Sequence, residues 1–248
     1  MIVTPIHTDK IRIGSGPLWD ILDHAFPVIQ EKDIIVITSK IVSICEGRVV
    51  KVGDREKTDL IHEEAEWYLP PEKSKYDISL TITRSTLIPT AGIDESNGDG
   101  YYILWPSDPY KTAKDMREKL VAKFGLHDLG VLITDSKTTP SRYGTTGLAI
   151  GFSGFHALNN YIDTPDIFGK HLHVTKANVA DGLAASAVLT MGEGDEQTPI
   201  ARIEDADMVH FDAEAPSDKE QKDLLISLDL DMYAPLLLSA PWVKGKKS

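Results

Sequence analysis

An α+β fold with mixed sheets and flanking helices is predicted by three features of this 248-residue sequence. Short apolar runs of strand length alternate with segments whose apolar residues recur at helical spacing. Their order is too irregular for the repeated strand–helix–strand unit of a wholly parallel sheet. Apolar residues make up 42% of the chain, enough to bury a substantial core beneath such layers.

The first helix is expected over 17–29. Pro17 after Gly16 opens it, and Leu18, Ile21, Leu22 and Ala25 share one face. Residues 33–38 (DIIVIT) read as a buried strand, with Asp33 before the apolar run and Lys40 after it. Residues 55–67 read as a polar helix, and 78–83 (ISLTIT) alternate as a half-buried strand does. Asp108 and Pro109 suit the cap and first turn of a helix whose apolar face is Ala113, Met116, Leu120 and Phe124. Residues 129–134 (LGVLIT) are a second buried strand, ending abruptly at Asp135-Ser136 in a polar loop.

Residues 147–152 (GLAIGF) form a glycine-rich strand, and Gly147, Gly151 and Gly154 allow close backbone packing. A short strand, 172–175, leads into an alanine-rich helix, 177–191, suited to lie close on a sheet. Beyond about 212 the chain turns polar; LLISLDLDMY then reads as an amphipathic helix, and the terminal KGKKS as disordered. The division expected is a domain over 1–212 and a C-terminal helical extension over 213–248, packed on that core or on a partner subunit.

The formal net charge of −12 argues against nucleic-acid binding through a broad basic face. An anionic substrate would need local lysines, arginines or a divalent cation. The single cysteine, Cys45, allows no disulfide within the chain and reads as a small buried side chain. No uncharged apolar stretch spans a bilayer, and MIVTPIHTDK lacks the pattern of a secretory signal. A cytoplasmic location is expected.

Three segments carry candidate chemistry. AGIDESNGDG (91–100) crowds Asp94, Glu95 and Asn97 into four residues, a turn composition that also suits a hard cation. LGVLITDSKTTPSRYGTTG (129–147) sets Asp135 and Ser136 at the carboxyl end of a buried strand, before Lys137 and Arg142. A carboxylate there has a fixed position, though it could equally cap the loop. ITSKIVSICEGRVVKV (37–52) gathers Ser39, Lys40, Arg48 and Lys51. Neither GxxxxGK[ST] nor GxGxxG occurs. His171 and His173 lack an obvious third ligand, and GEGDEQTP (192–199) is an acidic turn whose Glu196 could approach a metal.

Taken in order, DIIVITSKIVSICEGRVV, AGIDESN with LWPSDPYKTAKDMREKL, LGVLITDSKTTPSRYGTTGLAIGFSGF, and Asp166 to Lys170 followed by TKANVADGLAASAVLTMGEGDEQTPIARI resemble the coenzyme F420-0:γ-glutamyl ligase family over about residues 1–205. The resemblance implies a ligase that adds L-glutamate to a small-molecule acceptor at the expense of GTP or ATP with two Mg2+ or Mn2+ ions, usually as a homodimer. It implies metal-binding roles for Asp94, Asp135 and Ser136. It puts Ser39, Asn97 and the His7–Lys10 segment by the nucleotide, and Arg142 and Lys40 among the groups that hold anions in catalysis. Ile44 stands where the family has a nucleotide-contacting lysine, and Thr138, Thr139 and Ser141 replace Gly, Arg and Trp of a GRPWR segment. Two alternatives stay open: glutamylation of folate or another acceptor, and a nucleotide- or metal-binding regulator without ligase activity.

Overall fold

The two most apolar runs of the sequence pair with each other. Strand β2 (Ile34–Thr38) lies parallel to β8 (Gly130–Thr138), from Ile34 opposite Gly130 to Thr38 opposite Thr134. Strands this apolar need cover on both faces, and the computed structural model, which describes residues 1–247, supplies it. In chain order the remaining strands are β1 (Ile2–Ile6), β3 (Val49–Lys51), β4 (Trp67–Leu69), β5 (Leu80–Thr83), β6 (Thr86–Pro89), β7 (Tyr101–Ile103), β9 (Thr145–Ser153), β10 (Leu158–Asn160), β11 (Lys176–Asn178), β12 (Ile200–Glu204) and β13 (Val243–Lys244). The helices are α1 (Leu18–Ala25), α2 (Ser39–Glu46), α3 (Lys57–Glu64), α4 (Pro109–Phe124), α5 (Val179–Met191), α6 (Asp218–Leu224) and α7 (Ala234–Leu237).

The main sheet has the order β1-β12-β2-β8-β9, antiparallel except for β2 and β8. Alternation along the strands sends Ile35, Ile37, Val131 and Ile133 into one core with Leu22, Val42 and Leu120 from α1, α2 and α4. Ile34, Val36 and Leu132 face the other way, onto Leu183, Ala184 and Ala187 of α5. A smaller sheet, β13-β4-β5-β6, flanks a third cluster in which Leu60 and Ile61 of α3 meet Ala91, Ile93 and Leu104. The architecture is therefore α+β with mixed sheets.

Several elements differ from expectation. α1 stops at Ala25, because Pro27 disfavours helix at Phe26. Residues 39–46 are helical, although Ile, Val and Ser are weak helix formers, and Gly47 ends the helix in the left-handed region. The helix expected over 55–67 covers only Lys57–Glu64, and Trp67 already belongs to β4. β8 does not stop at Asp135: it runs to Thr138, because Ser136, Lys137 and Thr138 continue the hairpin with Gly147, Thr146 and Thr145 beyond the end of β2. The short strand lies at 176–178 rather than 172–175; His171 only bridges Pro165.

The C-terminal segment differs most. Residues 224–233 are not an amphipathic helix: α6 ends at Leu224, and Ile226, Leu230 and Met232 lie exposed, with no surface to bury a helical face. Residues 244–247 of the terminal KGKKS are ordered. Val243 and Lys244 pair with Tyr68 and Trp67, and the Gly245 and Lys246 amides donate to the Glu66 and His62 carbonyls at 2.8 and 3.0 Å. Ser248 lies outside the described residues.

Candidate active site

Chain topology gathers distant segments at one end of the main sheet. Parallel β2 and β8 both end there, and β1 ends beside them, since Ile6 and Ile37 both oppose Ile200, the first residue of β12. The segments leaving β1, β2 and β8, and the 192–199 loop entering β12, must therefore meet. The space outside the carboxyl ends of parallel strands is a favoured ligand site. A cavity of about 460 Å³ lies there, lined by Lys10, Lys40, Ile41, Ile44, Asp94, Asn97, Asp135, Ser136 and Glu193 among others. That size suits a ligand of nucleotide or drug scale.

Asp94 arrives on a strained turn. Thr90, Ala91 and Gly92 all take positive φ, and buried Thr81 holds the turn by accepting from the Ala91 amide at 2.9 Å. Asp94 then bridges Ile103 of β7 through both backbone bonds, at 2.9 and 2.8 Å. Its carboxylate accepts from the Ser96 amide at 2.8 Å and hydroxyl at 2.9 Å, and pairs with the Lys40 ammonium at 2.7 Å. Burial alone would push this carboxyl up. The Lys40 charge and the Ser96 donors outweigh that, leaving it below the usual carboxylate range.

Asp135 stands in the opposite condition. Its carboxyl is pushed up to about 6, chiefly by burial and further by the nearby negative charge of Asp94, against the pull of bonds from the Trp105 indole N–H and the Ser136 amide. Asp135 and Ser136 are consecutive in a strand, so their side chains diverge. Asp135 meets Trp105 on the α4 side. Ser136 donates to Glu193 at 3.2 Å on the α5 side, where Thr145 donates to the second Glu193 oxygen at 3.2 Å. The Asn97 amide reaches the Gly194 carbonyl at 2.9 Å, tying the 94–97 turn to the 192–199 loop.

The residues singled out in the sequence thus separate. Lys10, Lys40, Asp94, Asn97, Asp135 and Ser136 line one cavity. Ser39 is buried as the first residue of α2, between the lining residues Thr38 and Lys40. His7 is exposed after β1 and Arg142 is exposed in the β8–β9 turn; neither lines the cavity. Glu196 lines it, yet its carboxylate accepts from the Gly194 amide at 2.8 Å within its own loop. Glu193 and Trp105 were not singled out. Glu193 carried a signal, the acidic run 192–199; for a buried tryptophan bonded to an aspartate, sequence offers none.

Two aspartates and a hydroxyl form an all-oxygen set, the type a hard cation takes. Burial is the main reason the Asp135 carboxyl is raised, with the Asp94 charge adding to it. Among the described residues no three His, Cys, Asp or Glu side chains converge to hold an ion alone.

A site of paired carboxylates and lysines at the strand ends of an α+β scaffold is suited to anionic substrates and divalent cations. The family model F420-0:γ-glutamyl ligase matches residues 15–205, and the chain belongs to that family. Among its relatives are coenzyme F420:L-glutamate ligases. That of Methanopyrus kandleri is 33% identical, covering 77% of this chain and 81% of its own length. Those of Archaeoglobus fulgidus and Methanocaldococcus jannaschii are 31% and 32% identical, covering 70% and 73% of this chain and 76% and 78% of theirs. No helix among the described residues is long and apolar enough to cross a membrane.

Proposed function

We propose that this chain is a metal-dependent ligase that joins L-glutamate in a γ-glutamyl amide bond to a small anionic acceptor such as coenzyme F420-0, driven by GTP or ATP. The observation that carries this reading is the convergence of Asp94, Asp135, Ser136 and Lys40 on one cavity in a chain of this family. Amide formation from a carboxylate and an ammonium is uphill in water, so the carboxylate is first activated. The acceptor carboxylate, which for a γ-glutamyl bond is the γ-carboxylate of a glutamate the acceptor already carries, takes the terminal phosphoryl group, releasing nucleoside diphosphate. The glutamate amine then attacks the acyl phosphate, and inorganic phosphate leaves.

Asp94, Asp135 and the Ser136 hydroxyl, with Glu193 beside it, would hold Mg2+ or Mn2+. When bound, such ions neutralise charge on the transferring phosphates. The protein's own contribution is position. Lys40, Lys10 and Arg12 bring positive charge to a cavity rich in carboxylates, and the amino end of α2 lies beside them. The chain works as a cytoplasmic homodimer in this reading.

Incubating the protein with GTP or ATP, Mn2+, L-glutamate and coenzyme F420 tests it, with phosphate release and product mass as readouts. Asp94→Asn and Asp135→Asn are expected to stay folded and lose at least about 100-fold of metal-dependent turnover. Near-normal turnover in both would sink the assignment. Ile44 favours one second reading. It lines the cavity beside Ile41 where the resemblance expects a lysine, which suits a changed nucleotide or acceptor, folate included, or a regulator without turnover. Nucleotide binding with no phosphate release for any acceptor would select the regulator.

A further inference from the structure

Trp105 is almost wholly buried and belongs to the core under the main sheet. A tryptophan in such a place usually directs its N–H to whatever acceptor is near. Here the acceptor is the carboxylate of Asp135, which lines the cavity with Asp94. Three further features hold the indole in that orientation. The Trp105 carbonyl accepts from Arg48 at 3.1 Å, and Arg48 is itself paired with Glu64 at 2.8 Å. Leu104, one residue earlier, donates its amide to the Arg48 carbonyl at 3.0 Å. Gly92 lies against the ring, where any Cβ would overlap the indole.

Gly92 and Ile103 connect this residue to the other aspartate. Gly92 precedes Asp94 by two positions, and Ile103, two before Trp105, makes the backbone bridge to Asp94. One side chain therefore contacts the turn that presents Asp94 and bonds the carboxylate of Asp135. We propose that Trp105 is a positioning residue for the cation site: its indole N–H orients the Asp135 carboxylate, and its ring sets that group against the turn carrying Asp94. A neutral donor suits the task. It fixes one carboxylate oxygen without bringing a charge of its own. Donors behind a metal-binding carboxylate or imidazole act this way generally, and removing one weakens metal binding by about 10–100-fold.

The inference rests on the reading of Asp135 as a metal ligand, and the experiment keeps the two apart. Mn2+ binding is measured directly, by the electron paramagnetic resonance signal of the free ion, for wild type, Trp105→Phe and Asp135→Asn. Phenylalanine keeps the aromatic bulk and removes only the N–H. Trp105→Phe is expected to weaken Mn2+ binding by about 10-fold or more, with the far-ultraviolet circular dichroism of the metal-free protein unchanged. Binding within two-fold of wild type, while Asp135→Asn loses it, overturns the role of Trp105 alone. Unchanged binding in Asp135→Asn removes the metal-site reading and this inference with it.

Should Trp105→Phe fail to fold, 15N-tryptophan labelling of the wild type and of Asp135→Asn gives the same answer. The four tryptophans give four indole N–H signals. One is expected to move both on adding Mg2+ and on neutralising Asp135. If no signal responds to both, the indole does not serve the site.

Discussion

Gly147 shows how a single residue can hold two layers together. It lies opposite Ser136 in the β8–β9 hairpin, and a Cβ on it would fall on the carbonyl of Ala184 in α5. Only glycine lets the helix approach the strand this closely. Gly147→Ala is expected to destabilise the protein by about 1–3 kcal/mol, measured by urea unfolding, because helix and strand must separate to admit a methyl group. An unchanged midpoint would mean that the contact is looser than the structure has it. This role was legible from composition, since a glycine-rich strand facing an alanine-rich helix has one economical arrangement. The bond from Trp105 to Asp135 was not. It joins residues 30 positions apart, and no local pattern encodes which acceptor a buried indole finds.

Among the elements, long periodic segments were read correctly and marginal ones were not. α4 begins at Pro109 with the Asp108 carboxylate accepting from the Lys111 amide at 2.9 Å, as its cap signal indicates. α2 was missed because its β-branched residues carry strand propensity, and packing against the core overrides that preference. β13 was missed because two residues, Val243 and Lys244, carry no pattern; the pairing depends on an edge that only the folded sheet presents. Charge then reinforces it. Lys246 pairs with Glu63 at 3.0 Å, and Lys247 pairs with Glu64. Arg55 and Lys246 hold the Glu63 carboxyl down to about 2. Burial would raise Glu64, but Lys247 and Arg48 outweigh it and keep it below its ordinary value. Folded values below unfolded ones give stability that is present above about pH 4.5 and is lost as pH falls toward 2. Replacing Lys246 and Lys247 by Met is therefore expected to lower Tm by about 2–4 °C at pH 7 and by progressively less below pH 4.5. A difference independent of pH would assign the effect to packing instead.

At the scale of the molecule, an acidic chain must reconcile its own repulsion with the association that its surface invites. The excursion between β10 and β11 ends in Ile167 and Phe168, which are 91% and 89% exposed, with Val174 nearby in sequence at 85%. Large apolar side chains grouped on one segment mark an interaction surface, and in the homodimer proposed above a second copy of the chain is its partner. Two subunits of net charge −12 repel each other, so apolar contact must outweigh that repulsion. Salt screens charge and leaves apolar burial intact, with a Debye length of about 10 Å at 0.1 M falling to about 3 Å at 1 M. The dimer is therefore expected to strengthen as salt is added, the reverse of an interface held by ion pairs. Light scattering on a sizing column should give twice the 27.3 kDa chain mass, with the dimer fraction rising between 0.05 and 0.5 M NaCl, taken as roughly the range over which screening sets in. Phe168→Asp puts a carboxylate at the centre of that contact and is expected to give monomer at every salt concentration, with the Tm of the separated subunit little changed because the side chain is largely exposed. A Phe168→Asp protein that stays dimeric would move the interface elsewhere, and the exposed Leu230, Met232 and Leu236 of the C-terminal segment would be the next surface to change.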